Sequence, residues 1–248
     1  MYVSQVSVPG PGARENQDYV LADDRLVCVL DGVTPPPDGR PTGCVHGVRW
    51  YVESLARRIV DQAGPAEERS LPEALARSID QVRRAHEGRC DLSHPDTPSA
   101  AVAILRTSGT VVDHLVLCDC TILLEQRGGI HVRTDATRRD QRPRRMSPTG
   151  PLWKASVEPQ AAFSAVAGAS TLDGADGLRR AAVVTDGAAR IQELGLGTWA
   201  GLLCQLDSGD VPSVLARLRA EERSRWQLGR ARHVKLHDDF TAVVCRWA

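Results

Sequence analysis

The stretch that most constrains this chain is an apolar run, Leu26-Val27-Cys28-Val29-Leu30, which stops at Asp31-Gly32. A run of this length, rich in Val and Leu, predicts a strand that is buried on both faces. A carboxylate at the end of such a strand is held by a rigid element at the place where the core opens. Gly32 has no Cβ, so a ligand can approach the backbone closely there. An Asp-Gly pair also simply begins a turn, so this pair alone leaves both interpretations open.

The same pattern of apolar strand and acid recurs far downstream. The apolar residues 181–184 lead into Thr185-Asp186-Gly187, and Asp238-Asp239 precedes the apolar end of the chain. Asp119 lies at a tight junction between two predicted strands. Acids are therefore predicted at the mouths of several core strands that are distant from one another in sequence.

A predicted hairpin connects the first two of these acids. Asp18 directly precedes a short strand at residues 19–22, and a tight turn at residues 23–24 joins this strand to the one that leads to Asp31. The hairpin therefore predicts that Asp18 and Asp31 lie at the same end. Carboxylates that cluster repel one another unless a cation binds among them. A set without Cys or His suits hard ions such as Mg²⁺ or Mn²⁺.

The remaining elements predict one domain, 1–248, with separate runs of helices and strands. Helical periodicity predicts two successive helices, at residues 43–63 and 71–87, which disfavours a simple alternating βαβ chain. Strands are predicted at residues 2–8, 100–106, 111–117, 120–126, 130–133 and 161–167. Further helices are predicted near residues 191–194, 199–206 and 211–222, and no clear element at 226–236.

Composition excludes several classes of protein. The chain has 31 Lys and Arg against 31 Asp and Glu, which argues against nucleic acid or an anionic membrane as partner. Neither a signal peptide nor a membrane-spanning run is apparent, so a cytoplasmic location is expected. The seven cysteines are predicted to be buried, reduced thiols, because no Cys/His spacing is typical of zinc. The basic stretch 138–145 is expected to be a solvated loop rather than an anion-attracting surface.

Four motifs in order resemble those of the metal-dependent protein phosphatases of type 2C. They are Asn16-Gln17-Asp18, Asp31-Gly32, Thr185-Asp186-Gly187 and Asp238-Asp239-Phe240-Thr241, and the match extends over residues 3–247. The resemblance, to a divergent member of bacterial type, implies an α+β fold. This fold is a four-layer α/β/β/α sandwich, with two antiparallel sheets flanked by antiparallel helix pairs. It also implies hydrolysis of phosphoserine and phosphothreonine by a water that bridges two Mg²⁺ or Mn²⁺ ions, with a phosphoprotein or a kinase as partner.

The same resemblance assigns roles to individual residues. Asp31 would bridge both ions and the Gly32 carbonyl would bind one of them. Asp186 and Asp238 would hold the second ion directly. Asp18 would act through coordinated water, and Asp119 would hold a third, looser ion together with Asp186. Arg14 would grip the substrate phosphate, because a guanidinium can bind two of its oxygens.

Several positions depart from the family pattern. Gln17 stands where Glu is common, Cys118-Asp119-Cys120 replaces Gly-Asp-Ser, and Val33 replaces a His found in some members. Gln17 and Asp239 have no assigned role, and His46 is expected to be structural rather than a general acid. Two alternatives therefore remain. One is a catalytically weak member that binds and regulates a partner, and the other is a small-molecule phosphatase of the same fold.

Overall fold

The protein forms two five-stranded antiparallel sheets in a computed structural model, which describes residues 1–13, 15–33, 42–64, 69–86, 88–135, 153–229 and 235–247. The first sheet has the strand order β1 (Tyr2–Val8), β10 (Phe240–Arg246), β9 (Arg180–Val184), β6 (Thr121–Gln126) and β7 (Gly129–Thr134). The second has the order β2 (Asp18–Ala22), β3 (Leu26–Gly32), β4 (Ala100–Ser108), β5 (Val111–Leu117) and β8 (Val166–Thr171). In the second sheet β2 to β5 pair in chain order and β8 joins beside β5, whereas in the first sheet β1 pairs with β10.

Helices cover the outer face of each sheet. The helices α1 (Val48–Ala63) and α2 (Leu71–His86) pack on the second sheet, and their apolar faces form one core cluster with it. The helices α3 (Asp186–Glu193), α4 (Trp199–Asp207) and α5 (Val211–Gln227) pack on the first sheet. A third cluster fills the space between the sheets. Three apolar layers between four structural layers confirm the predicted α/β/β/α sandwich, although three helices rather than a pair cover the first sheet.

Strand β3 shows why the opening run is continuously apolar. Leu26, Cys28 and Leu30 point into the cluster beneath α1 and α2, whereas Val27 and Val29 point into the cluster between the sheets. All five side chains are at most 2% exposed. A strand covered on both faces has no polar face, so the alternation of a half-buried strand is absent.

Two element boundaries in or near the second sheet differ from the sequence prediction. Residues 161–167 were predicted to be a strand, but Pro159–Ser164 is a 3-10 helix and β8 follows it at Val166–Thr171. The error arose because β8 is a largely exposed edge strand without apolar periodicity. The first long helix begins at Val48 rather than at residue 43, because Gly47 precedes it with a φ of 64°.

The boundaries on the other side of the sandwich also shift. Helix α3 begins at Asp186 rather than near residue 191, and α5 continues to Gln227 rather than ending at residue 222. Part of the stretch 226–236, predicted to lack an element, lies outside the described residues. None of the helices described is both long and apolar enough to cross a membrane.

Candidate metal centre

Asp31 and Asp18 face each other across the first hairpin. Strands β2 and β3 pair so that the Cα of Asp18 is opposite the Cα of Asp31, which confirms that the hairpin brings both acids to one end. Asp18 is 2% exposed, and its Oδ2 accepts a hydrogen bond of 3.0 Å from Thr185 Oγ1. Thr185 follows β9 in the other sheet. The two sheets are therefore joined at the acids themselves.

Gly32 is fixed by its surroundings. Its amide donates to the carbonyl oxygen of Gln17 at 3.2 Å. A Cβ at this position would overlap Val48 Cγ1 and would lie 2.7 Å from Gln17 O. Only glycine therefore fits where the start of α1 packs against the residue next to Asp31.

Asp186 brings a third acid to the same place. It is the first residue of α3, directly after β9, and its charge raises the pKa of Asp31. Carboxylates at short range disfavour each other's ionisation. Asp31 and Asp186 therefore belong to one acid cluster at the open end of the two sheets.

Burial and mutual repulsion favour the protonated forms of these acids. Burial raises the pKa of Asp31 well above its usual value, and the charges of Asp18, Asp186 and Asp119 raise it further. Burial, with nearby acids, also raises the pKa of Asp18 to about 7 and that of Asp186 to about 8. A divalent cation relieves such repulsion, and carboxylate and carbonyl oxygens are the donors that Mg²⁺ and Mn²⁺ prefer. Asp31, Asp186 and Gly32 therefore fit the ions that the sequence implied.

Asp238 is held differently from the expectation. Its Oδ2 accepts from Arg190 Nη2 at 2.8 Å, and its Oδ1 accepts from Lys235 Nζ at 2.8 Å. Both oxygens of this predicted metal ligand are thus paired with side-chain cations. The sequence analysis missed both cations, although Arg190 lies one turn after Asp186 on α3 and Lys235 three residues before Asp238.

Arg190 belongs to a buried ionic network. Its Nη1 donates to Glu222 Oε1 at 2.7 Å, while Glu222 Oε2 accepts from Arg219 and contacts His237 Nδ1 at 2.7 Å. Arg190 and Glu222 are 2% and 5% exposed. The network ties α3 to α5 and orients the cation that holds Asp238, so it fixes one side of the acid cluster.

Asp239 and Gln17 have structural contacts at the edge of the cluster. The Asp239 carboxylate accepts from the amides of Gly10 and Gln17, each at 2.8 Å. Because the Gln17 carbonyl in turn accepts from Gly32, Asp239 connects the end of the first sheet to the backbone beside Asp31. Asp239 therefore has a structural role, because it joins the backbone at Gly10 to the backbone at Gln17.

The other predicted site residues are more scattered. Asp119 lies between β5 and β6, after Cys118 with a φ of 73°, and its charge acts on both Asp31 and Asp186. His46 precedes α1 and stacks on Trp50 at 4.1 Å between ring centroids. Arg14 and the basic stretch 138–145 lie outside the described residues.

Comparison with solved structures identifies the architecture. The serine/threonine phosphatase PstP/Ppp of Mycobacterium tuberculosis superposes with a TM-score of 0.57 at 15% identity, over 98% of this chain and 97% of that one. The fold is that of the PPM Ser/Thr phosphatases. MsPP of Mycobacterium smegmatis, in complex with cacodylate, superposes with a TM-score of 0.57 at 16% identity, over 100% of this chain and 99% of that one. A PstP catalytic domain with two manganese ions superposes with a TM-score of 0.56 at 14% identity, over 98% of this chain and 96% of that one.

Comparison at the level of sequence gives no match, either to protein-family models or to curated proteins. The likeness to the PPM phosphatases therefore extends over the whole fold, at identities of 14% to 16% for these three structures.

The acid cluster predicts how the stability of the metal-free protein depends on pH. Since Asp18 and Asp186 bind protons more tightly in the folded chain, their contribution to the free energy of unfolding falls as pH rises from about 4 to about 8. Mn²⁺ displaces these protons, so its stabilising effect should grow by about 1.4 kcal/mol per pH unit for each proton released. Thermal unfolding from pH 5 to 9, with and without Mn²⁺, measures this. Equal stabilisation by Mn²⁺ at both ends of the range would contradict it.

Lys235 is predicted to weaken metal binding. Its ammonium group pairs with Asp238, and the charges of Asp31 and Asp239 also act on it. Lys235→Met should raise the affinity for Mn²⁺ roughly tenfold, because it removes a competing cation and frees an oxygen of Asp238. Isothermal titration calorimetry gives the dissociation constant. Arg57→Met, which removes an exposed charge from α1, is the control and should leave the affinity unchanged. Weaker binding by the Lys235 variant would show that the ammonium supports the site.

Proposed function

We propose that this protein is a metal-dependent phosphomonoester hydrolase that acts on phosphoserine and phosphothreonine in proteins. The observation that carries the proposal is the acid cluster at the open end of the sandwich, where Asp31 faces Asp18 across the hairpin and the charges of Asp186 and Asp119 act on it. Repelling carboxylates in a buried position are costly without a cation. The similarity of the fold to PPM Ser/Thr phosphatases supports the choice of substrate. A cytoplasmic location is part of the same proposal.

The chain's own residues would bind and orient the reactants. Asp31 and the Gly32 carbonyl would hold one Mg²⁺ or Mn²⁺ ion, and Asp31 with Asp186 and Asp238 a second. Asp18 would act through coordinated water and Asp119 would contribute to a third, looser position. When bound, the ions supply an acidified water and neutralise charge on the phosphoryl group, so no protein nucleophile is needed. Arg14 is proposed to orient the substrate phosphate.

The acids also explain why the site is rigid before an ion binds. Thr185 donates to Asp18 from the opposite sheet, and Asp239 holds the Gln17 backbone that accepts from Gly32. Positions fixed by packing and by hydrogen bonds reduce the reorganisation needed to reach a productive geometry. These contacts support the proposal because they hold Asp18 and the backbone beside Asp31 in position before an ion binds.

The test is hydrolysis of an aryl phosphate by the full chain over a titration of Mn²⁺. Turnover that depends on Mn²⁺ is expected, followed by release of phosphate from phosphoserine and phosphothreonine peptides. A folded protein that binds Mn²⁺ without any turnover would overturn the proposal. Preference for small phosphorylated metabolites over every peptide would leave the hydrolase assignment and change the substrate class.

One observation favours a second function. Arg190 and Lys235 occupy both oxygens of Asp238, so this acid is compensated without a metal. A chain that keeps the fold but replaces one ion with side-chain cations could serve as a binding module that regulates a phosphoprotein or a kinase. The outcome that supports this alternative is absent turnover together with specific binding of a phosphopeptide.

A further inference from the structure

A second group of metal-binding side chains lies outside the acid cluster. Cys44 and His46 precede α1, whereas His86 ends α2 and Cys90 follows it. Sulfur or nitrogen atoms of Cys44, His86 and Cys90 lie within 4.8 Å of one another. The linear spacing, Cys-x-His and His-x3-Cys separated by about forty residues of two helices, hid this group from the sequence analysis. The sequence analysis relied on linear spacing and therefore did not identify this group.

The distances from the two sulfurs to each other and to His46 Nδ1 match the edges of a tetrahedral zinc site. The two sulfurs are 3.5 Å apart, and His46 Nδ1 is 3.7 Å from Cys44 Sγ and 3.4 Å from Cys90 Sγ. Zn–S bonds of about 2.3 Å and Zn–N bonds of about 2.0 Å imply edges of about 3.8 Å between two sulfurs and about 3.5 Å between sulfur and nitrogen. A disulfide needs about 2.0 Å between its sulfurs, so the two cysteines are thiols here.

His86 gives an independent indication of a ligand. It is 1% exposed, and neither of its ring nitrogens has a hydrogen-bond partner among the residues that the structure describes. A buried polar group without a partner costs about 1–3 kcal/mol, so such groups are rare in folded proteins. The His86 ring stacks parallel to that of His46, with centroids 5.2 Å apart, and on Trp50 at 4.7 Å. A metal ion would satisfy one of the orphaned nitrogens.

The surrounding backbone prepares the site. The amide of His46 donates to Cys44 Sγ at 3.3 Å, an interaction that stabilises a thiolate. The two loops are joined because the amide of Asp91 donates to the carbonyl oxygen of Gly43 at 2.7 Å. Gly43 has a φ of 72°, and a Cβ there would lie 2.5 Å from His94 Cβ, so close contact between the loops requires glycine.

We propose that Cys44, His86 and Cys90, with His46 beside them, bind one Zn²⁺ ion that fastens the loop before α1 to the loop after α2. Thiolate and imidazole ligands suit Zn²⁺, whereas the oxygen ligands of the acid cluster suit Mg²⁺ or Mn²⁺, so the two sites are chemically distinct. Cys44, His86 and Cys90 form the set whose donor atoms all lie within 4.8 Å of one another, and His46 Nδ1 contacts both sulfurs. Because the ion would join two loops, the site is structural.

The zinc site would also stabilise the acid cluster from outside. Val48 packs on Gly32, and Arg49 Nη1 donates to the carbonyl oxygens of Asn16 and Asp18 at 3.0 and 3.1 Å. Both residues lie within three positions of His46. The second loop leads to Ser99, whose carbonyl oxygen accepts from the amide of Val33 at 2.9 Å. Fixing both loops therefore fixes the backbone on either side of Asp31 and Gly32.

Metal analysis of the full, untagged chain tests the proposal. After dialysis in excess Mg²⁺, we expect about one zinc per chain by mass spectrometry of the metals. Cys90→Ser should lower zinc affinity by on the order of 100-fold, because removal of a ligand costs at least as much as removal of an outer partner. Cys204→Ser changes an exposed thiol on α4 and should leave zinc unchanged. Asp31→Asn should also leave it unchanged, which separates this site from the acid cluster.

Cobalt substitution in the wild-type chain keeps the test decisive if Cys90→Ser does not fold. Co²⁺ in place of zinc should give the visible bands of a tetrahedral ion and a thiolate-to-cobalt charge-transfer band. Absence of that band in a folded chain would overturn the proposal. Zinc lost with Asp31→Asn but kept with Cys90→Ser would also overturn it, as would a Cys44–Cys90 disulfide in the purified protein, detected by alkylation under denaturing conditions.

Discussion

Replacement of Asp31 by Asn is expected to lower Mn²⁺-dependent hydrolysis of an aryl phosphate by on the order of 10³-fold. Asp31 faces Asp18 across the hairpin, and the charges of Asp186 and Asp119 act on it, so it is a central acid of the cluster. Metal ions supply several kcal/mol of transition-state stabilisation in hydrolysis, and each 1.4 kcal/mol changes a rate about tenfold. Loss of the shared ligand should remove most of that effect. Steady-state kinetics at saturating Mn²⁺ measures the change in kcat.

The same substitution should not destabilise the metal-free protein. Burial and repulsion from Asp18 and Asp186 disfavour the charge on Asp31, so a neutral amide of similar shape removes an electrostatic cost. Thermal unfolding without metal should therefore give an equal or higher midpoint for Asp31→Asn. Asp24→Asn, at an exposed turn position, is the matched control and should alter neither activity nor stability. Wild-type turnover by the Asp31 variant would place the reaction elsewhere in the protein.

The sequence predicted the positions of acids along the chain better than their partners. The apolar run before Asp31 and the hairpin with Asp18 follow from periodicity alone, because each depends on local chain geometry. The pairing of Asp238 with Arg190 depends on how α3 lies against the start of β10. A single sequence shows the charge of Arg190 but not the direction in which its side chain points.

The proximity of Cys44 and Cys90 is another contact that the sequence alone did not predict. Cys44 and Cys90 are separated by two helices, and their proximity follows only from the way α1 and α2 pack together. The edge strand β8 was misplaced for a related reason, since its exposed residues carry no periodic signal. Periodicity therefore identifies buried elements, whereas contacts between distant loops and exposed edges require the tertiary structure.

The structure divides the site into two electrostatic halves. Asp18, Asp31 and Asp186 carry raised pKa values and form no salt bridge with a side chain in the described part of the chain, whereas Asp238 pairs with Arg190 and Lys235. An ion that binds between Asp31 and Asp186 reduces the repulsion among these acids and leaves the ion pairs of Asp238 intact. Binding of another ion through Asp238 must break at least one ion pair. We therefore expect two Mn²⁺ affinities, of which the weaker alone responds to Lys235→Met.

The second large effect is expected at Gly187, where α3 begins. A Cβ at Gly187 would overlap the carbonyl oxygen of Asp239 and would lie 3.3 Å from Asp238 Cβ. The overlap is with backbone, which cannot rotate away, so α3 and the start of β10 must separate. Gly187→Ala should lower the free energy of unfolding by about 3 kcal/mol, the upper range for overpacking. For a chain of this size that corresponds to a midpoint roughly 10 °C lower in thermal unfolding.

Gly201→Ala supplies the matched control for this prediction. Gly201 also lies in the first turn of a helix, α4, but a Cβ there would meet only Thr198 Oγ1 at 3.4 Å, which the side chain can accommodate. Both substitutions gain the same helix propensity of up to about 1 kcal/mol, so their difference isolates the overlap. Because Asp186 and Asp238 flank the overlap, Gly187→Ala should also weaken Mn²⁺ binding, whereas Gly201→Ala should not. Equal unfolding midpoints for the two variants would mean that α3 can shift without cost, and that the acid cluster is not held by this contact.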